Sequence, residues 1–195
     1  MKPRGKTSRG QIRIIGGERR GHRLNFVDQR GDLRPSSDRM RETLFNWLQA
    51  DVPGARVLDL FAGSGALGAE ALSRGAAHAV LVERKRERCA DLSRQLAPLF
   101  GERVRVQCAD ALKWLPRSSE RFDLVFIDPP YDLGLAEPAC AALEELGLLA
   151  DDALIYVESR RQADAPAVPD GWELIRKKDG GDVRAELYRK PTATS

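Results

Sequence analysis

Four consecutive residues, Asp128-Pro129-Pro130-Tyr131, combine hydrogen-bond acceptors, a rigid backbone and an aromatic plane. An exocyclic amine on an aromatic base is a poor nucleophile, because its lone pair is delocalised into the ring. Acceptors that take both amine hydrogens can hold the nitrogen in line with an electrophile. The Asp128 carboxylate and the Pro129 carbonyl form such a pair. Pro129 and Pro130 fix the backbone and remove N–H donors that would compete. Tyr131 offers a ring on which a base turned out of its helix can stack. The competing account is a Pro-Pro turn with a capping aspartate. The position of the motif directly after the apolar run Leu124 to Ile127 favours chemistry, because ligands of open α/β sheets gather beyond the carboxyl ends of strands.

The segment from Asp59 to Gly68, DLFAGSGALG, follows one predicted strand and opens a helix. Glycines there allow close backbone approach to a ligand, and free helix N–H groups can hold an anion. The segment contains G-x-G-x-x-G, the dinucleotide fingerprint, so NAD(P) has to be weighed. Two details favour S-adenosylmethionine. Gly63 lies four residues past Asp59 instead of directly at the strand end. The longer loop, Phe61-Ala62-Gly63 with Gly65 beyond, leaves space for a methionine moiety whose ammonium group Asp59 can face.

Glu83 ends the next strand, 18 residues after Gly65. A carboxylate there can accept both ribose hydroxyls of either ligand. It can also be a surface glutamate in a charged run, since Arg84, Lys85 and Arg86 follow. Asp110, in Cys108-Ala109-Asp110-Ala111, can accept from an adenine amino group or cap a helix starting at Ala111. The residues leave both readings open.

The elements that must position these groups alternate. Strands are predicted at 57–60, 79–83, 104–108, 124–127 and 154–157. Helices are predicted at 65–74, 85–96, 111–115 and 135–146. Continuous apolar strands suit a parallel sheet covered on both faces. Beyond them, Trp172 to Lys178 and Val183 to Arg189 flank Asp179-Gly-Gly-Asp182, a hairpin signal. In the second arm Val183, Ala185 and Leu187 alternate with Arg184, Glu186 and Tyr188. The expected fold is α/β, a Rossmann-like seven-stranded class I methyltransferase sheet with a terminal antiparallel β-hairpin. A small N-terminal β-hairpin (11–15 and 22–26 about Gly16-Gly17) and a helix capped by Ser37 or Asp38 precede it. The expected division is a basic tail at 1–10, hairpin and helix at 11–52, the cofactor-binding domain at 53–190 and a tail at 191–195.

Of 195 residues, 42% are hydrophobic and 31% charged, which supports a sizeable core. No apolar run reaches membrane-span length, and no apolar stretch follows the basic N-terminus, so a cytoplasmic protein is expected. Nothing in the pattern calls for more than a monomer. Cys89, Cys108 and Cys140 are widely spaced and are expected to be reduced, and with only His22 and His78 no metal site is expected. The net charge of +3 hides an asymmetry: residues 1–41 carry 12 Lys+Arg against 4 Asp+Glu. A basic end on a mildly acidic body suits a polyanionic partner.

At these residues the chain resembles a known family. DLFAGSGALG, VERKRE, CADA and DPPY match class I methyltransferase motifs in order and spacing. More specifically RIIGGERRG, LRPSSDRMRETLFNWL and ALIYVES are similar to segments of the RsmD family, bacterial 16S rRNA guanine-N2 methyltransferases using S-adenosylmethionine. The resemblance implies that Asp59, Phe61, Ala62, Gly63, Gly65, Glu83, Arg84, Asp110 and Ala111 hold the cofactor. It implies that Asp128, Pro129, Pro130 and Tyr131 hold the guanine amine. Arg34, Asp38, Arg39 and Arg41 would line the entrance, although Arg39 and Arg41 could equally be a solvated helix face. Arg13, Arg19, Arg20 and Arg23 would grip phosphates of 16S rRNA, within the 30S subunit or an assembly intermediate. The alternatives are an amino-methyltransferase acting on DNA or a protein glutamine, which commonly carries Asn in place of Asp128, and an NAD(P)-binding oxidoreductase.

Overall fold

The computed structural model describes residues 8–28 and 37–192. Two antiparallel strands, β1 (Ser8–Arg13) and β2 (Arg23–Asp28), form the N-terminal hairpin. Helix α1 (Asp38–Trp47) follows, capped by Ser37, whose Oγ accepts from the Met40 amide at 3.2 Å. Then come β3 (Arg56–Asp59), α2 (Ala66–Ser73), β4 (His78–Glu83), α3 (Arg86–Phe100), β5 (Val104–Cys108), α4 (Ala111–Trp114), β6 (Phe122–Ile127), α5 (Ala136–Glu145) and β7 (Leu149–Arg160). The chain closes with β8 (Glu173–Gly180) and β9 (Val183–Arg189). One seven-stranded sheet has the order β5-β4-β3-β6-β7-β9-β8. Strands β3 to β7 run parallel, and β9 is antiparallel to both its neighbours.

Strand side chains alternate between two hydrophobic layers. Val57, Leu81, Phe126 and Tyr156 pack on one face with α1, α2, α3 and the hairpin residues Ile12, Ile14 and Leu24. Leu58, Val80, Val125 and Ile127 pack on the other with α4 and α5. All eight residues of α2 are buried, because the hairpin and α1 cover its outer side.

A buried carboxylate makes that covering specific. Glu70 on α2 is fully buried. Its oxygens accept the amides of Ile15 and Gly16 at 2.8 Å each and the Arg74 Nε at 2.7 Å. The Arg41 guanidinium of α1 lies 3.6 Å away. At the same junction Gly17 has φ +76°, and a Cβ there would come within 1.8 Å of the Ser73 carbonyl oxygen. Only glycine permits that approach.

The structure departs from the sequence reading at several places. The first hairpin strand begins at Ser8, inside the stretch 1–10 expected as a tail, and ends at Arg13 rather than at 15, because its partner Arg23–Asp28 pairs back to Ser8. Arg41, expected on a solvated face or at the entrance, is 1% exposed and serves the core. It donates to the Arg13 carbonyl at 3.0 Å and to Asp38 at 2.6 Å, and pairs with Glu70. Helix α3 continues past Leu96 through Pro98 to Phe100. Leu96 and Phe100, one turn apart, are both buried, so packing outweighs the missing proline donor. Strand β7 spans 12 residues, well beyond 154–157. In β9, Ala185 to Tyr188 are all buried despite their alternating polarity: β7 and β8 pair its edges, while Ala185 and Leu187 pack into one apolar layer and Tyr188 into the other. Glu186 is accommodated by Lys177 at 3.4 Å and the Tyr188 hydroxyl at 3.1 Å.

Glu70→Ala would remove the Arg74 ion pair and one of the two carboxylates around buried Arg41, and strip two hairpin amides of their acceptor. Equilibrium urea unfolding should show a loss of about 3–5 kcal/mol. Hydrogen exchange should speed up at Ile15 and Gly16.

Candidate active site

Parallel pairing of β3 with β6 aligns Asp59 with Phe126, so the loops leaving these strands start at the same sheet edge. They open onto one cavity of about 410 Å³. Its wall includes Asp59, Phe61, Ala62 and Gly63 from the glycine loop. Glu83 and Arg84 join from the end of β4, and Asp110 and Ala111 from beyond β5. Asp128, Pro129, Pro130 and Tyr131 line the same space from the end of β6. Gly65 is not on the wall. It is the N-cap of α2 with φ +77°, and a Cβ there would lie 2.5 Å from the Leu92 side chain.

The acids differ in how they are held. Asp59 is 2% exposed, accepts the Gly68 amide at 2.9 Å and forms no ion pair among the described residues. Burial lifts its pKa to about 7; the Gly68 hydrogen bond opposes the shift and the Glu83 charge adds to it. Glu83 accepts the Gly63 amide at 3.1 Å and the Lys85 amide at 2.7 Å, so its carboxylate shapes both the glycine loop and the entry to α3. Asp110 is the N-cap of α4, accepting from the Lys113 amide at 3.3 Å, while also lining the cavity. Asp128 is half-buried and Pro129 buried. The Tyr131 hydroxyl donates to Glu158 at 3.0 Å. Burial raises the Tyr131 pKa, and the charges of Glu158 and Asp128 raise it further, so the phenol stays neutral.

The wall also holds groups the sequence did not single out. Arg160 lines the mouth and donates to Asp132 at 3.0 Å, and Lys85 and Arg88 stand on the opposite side. Behind Tyr131, Glu158 is 2% exposed and accepts from Tyr156 as well, at 2.9 Å. A signal for Glu158 existed: an acid at the end of an apolar strand, as for Glu83 and Asp59.

None of Arg13, Arg19, Arg20, Arg23, Asp38, Arg39 and Arg41 lines the cavity, and Arg34 lies outside the described residues. Arg20 and Arg39 are exposed. Arg13 approaches Asp38 at 3.8 Å, Arg19 donates to the Leu99 carbonyl at 2.8 Å, and Arg23 to Gln11 at 3.0 Å. The hairpin nevertheless reaches the glycine loop from behind. Asn25, Phe26 and Val27 share a small recess with Gly63, Ser64 and Arg88. Among the described residues no cluster of three His, Cys, Asp or Glu could hold a metal, and no helix is long and apolar enough to cross a membrane.

Residues 12–189 match a family model described as conserved hypothetical protein 95. The chain is 47% identical to ribosomal RNA small subunit methyltransferase D from Escherichia coli, covering 97% of this chain and 96% of that one. It is 40% identical to the protein of the same name from Haemophilus influenzae, over 94% and 96% of the two chains. The chain belongs to the RsmD family. Among solved structures, yhhF from Escherichia coli superposes with a TM-score of 0.85 at 46% identity, covering 94% of this RsmD-family chain and 99% of the other. TrmN from Thermus thermophilus shares the fold with a TM-score of 0.65 at 26% identity, covering 83% of this chain and 50% of that one. The protein is thus a methyltransferase with a Rossmann-like sheet. Its cavity brings a glycine loop with buried and half-buried carboxylates beside a proline turn.

The raised Asp59 pKa has a defined sign in stability. Between about pH 4 and 7 the folded RsmD-family protein keeps a proton that the unfolded chain has lost, so stability falls across that window and the full penalty stands above it. Asp59→Asn should therefore raise the melting temperature of the ligand-free protein most at about pH 8 and clearly less at about pH 5, where only part of the penalty has developed. Equal shifts at both pH values in differential scanning fluorimetry would contradict this titration.

Proposed function

We propose that this protein transfers a methyl group from S-adenosylmethionine to the exocyclic N2 of a guanine in 16S rRNA of the small ribosomal subunit. The observation that carries the reading is the single cavity shared by the glycine loop and the Asp128-Pro129-Pro130-Tyr131 turn. The names of the RsmD relatives support the rRNA substrate.

The residues present fit the cofactor. A buried aspartate with no cationic partner among the described residues suits a ligand that brings its own positive charge. When bound, the cofactor supplies an activated methyl group on a sulfonium. Asp59, Phe61, Ala62 and Gly63 would surround its amino-acid end, with Gly65 setting the loop. Glu83 would accept from the ribose, its oxygens keeping spare lone pairs beside the two amides they already hold. Asp110 and Ala111 would meet the adenine, with Arg84 at the rim.

On the substrate side the Asp128 carboxylate and the Pro129 carbonyl accept the two amine hydrogens and aim the nitrogen's lone pair. Pro130 keeps the turn rigid and Tyr131 stacks on the base. Arg13, Arg19, Arg20, Arg23 and Arg39 hold phosphates, with Asp38 orienting Arg13. Base selection then comes from the pocket and affinity from the hairpin. The protein acts as a monomer in the cytoplasm, on the 30S subunit or an assembly intermediate.

Labelled S-adenosylmethionine incubated with 30S subunits that lack the modification should place label in N2-methylguanosine after nuclease digestion. Label in another nucleoside or in protein would overturn the assignment. Asp128→Ala should keep S-adenosylhomocysteine affinity near wild type while turnover falls by several orders of magnitude, because only alignment is lost. Arg20→Glu should lower the slope of log affinity for rRNA against log salt by about 1. An unchanged slope would remove Arg20 from the docking surface.

A further inference from the structure

β7 runs beside β6, and Ile127 is paired with Val157. The residues just past that pairing, Asp128 and Glu158, therefore extend side by side at the sheet edge. Glu158 does not line the cavity but is buried behind it, and its two oxygens accept from two tyrosines. Tyr156 donates at 2.9 Å from within the core, where its ring meets Phe126 edge-on at 6.3 Å between centroids. Tyr131 donates at 3.0 Å from the cavity wall. Glu158 thus links a ring locked in the sheet to a ring on a surface turn.

Tyr131 needs such a link. It begins a three-residue 3-10 turn, Tyr131–Leu133, followed by Gly134 in the left-handed region. Leu133 and its neighbour Asp132 are exposed, so packing does little to fix the turn. The second tie from β7, Arg160 to Asp132, joins groups 50% and 84% exposed, where an ion pair contributes little. The bond to the buried carboxylate is the strong constraint, because charge-assisted hydrogen bonds gain strength away from water.

Resting on the reading above, we propose that Glu158 is a positioning residue: it fixes the Tyr131 ring as the plane against which the target base is held for methyl transfer. Glu158 touches neither base nor cofactor and acts on the reaction through Tyr131. Its loss then lowers turnover without changing affinity for cofactor or for rRNA.

The test compares Glu158→Ala, Glu158→Gln, Tyr131→Phe and the Glu158→Ala/Tyr131→Phe double variant on unmodified 30S subunits. Glu158→Ala should lower kcat by roughly 10- to 100-fold, as expected for misplacing a reacting group by about 1 Å. KM for the subunit and Kd for S-adenosylhomocysteine should stay near wild type. Tyr131→Phe keeps the ring and removes the tie, so it should reproduce the loss. The double variant should be no slower than either single variant, since one linkage is being removed twice. Glu158→Gln keeps an acceptor oxygen and should recover most of the activity. Losses that multiply in the double variant, or a folded Glu158→Ala enzyme with unchanged kcat, would overturn the proposal. Parallel loss of S-adenosylhomocysteine binding and thermal stability would also overturn it, by making the role merely structural. Should the wild type prove inactive on 30S subunits, the substrate reading falls. Hydrogen exchange at the Leu133 amide, faster in Glu158→Ala if Glu158 holds the turn and unchanged if it does not, still judges the residue.

Discussion

The parallel pairing of β3 with β6 is the constraint on which the site rests. The strands adjoin in space, but two strand–helix units separate them in sequence, and the chain leaves them toward opposite halves of the sheet. Such a reversal leaves a crevice that neither crossover helix fills. The ladder continues one residue beyond β3, with the Leu60 amide on the Phe126 carbonyl at 3.1 Å. The glycine loop and the proline turn therefore diverge from a fixed point. A slip by one residue would exchange the faces of every strand side chain and turn Asp59 or Asp128 away from the crevice.

Along this edge, in spatial order, stand Asp110, Glu83, Asp59, Asp128 and Glu158. Their environments divide the labour among identical functional groups. Asp110 is exposed and caps a helix, Glu83 holds two amides, and Asp59 is buried with one. Asp128 faces the crevice and Glu158 is buried behind it among hydroxyls. An acidic edge attracts cations and repels phosphates. The arginines and lysine on the same wall, Arg84, Lys85, Arg88 and Arg160, offset part of that negative charge.

The parallel layers were legible because apolar runs alternate with helical periods, and the strand-end motifs because they sit where those runs stop. What escaped has one physical cause: partners far apart in sequence. Glu70 reads as an ordinary helix residue until Ile15 and Gly16, more than fifty positions earlier, are found on its oxygens. Arg41 reads as a surface cation for the same reason. Glu186 and Tyr188 alternate with apolar residues in β9 yet are buried, because face burial depends on what packs over the sheet, which polarity alone does not encode. The predicted helix stops at residue 96 because the burial of Phe100, which carries the helix on through Pro98, is not visible in local sequence.

Glu70 also has a mechanical consequence. Because a carboxylate inside α2 takes the hairpin's own backbone amides, the arm cannot swing on a hinge at its base without breaking charge-assisted bonds in a dry environment. A macromolecule landing on the arm meets a stiff bracket, shaped before contact, and little motional freedom is surrendered at the encounter.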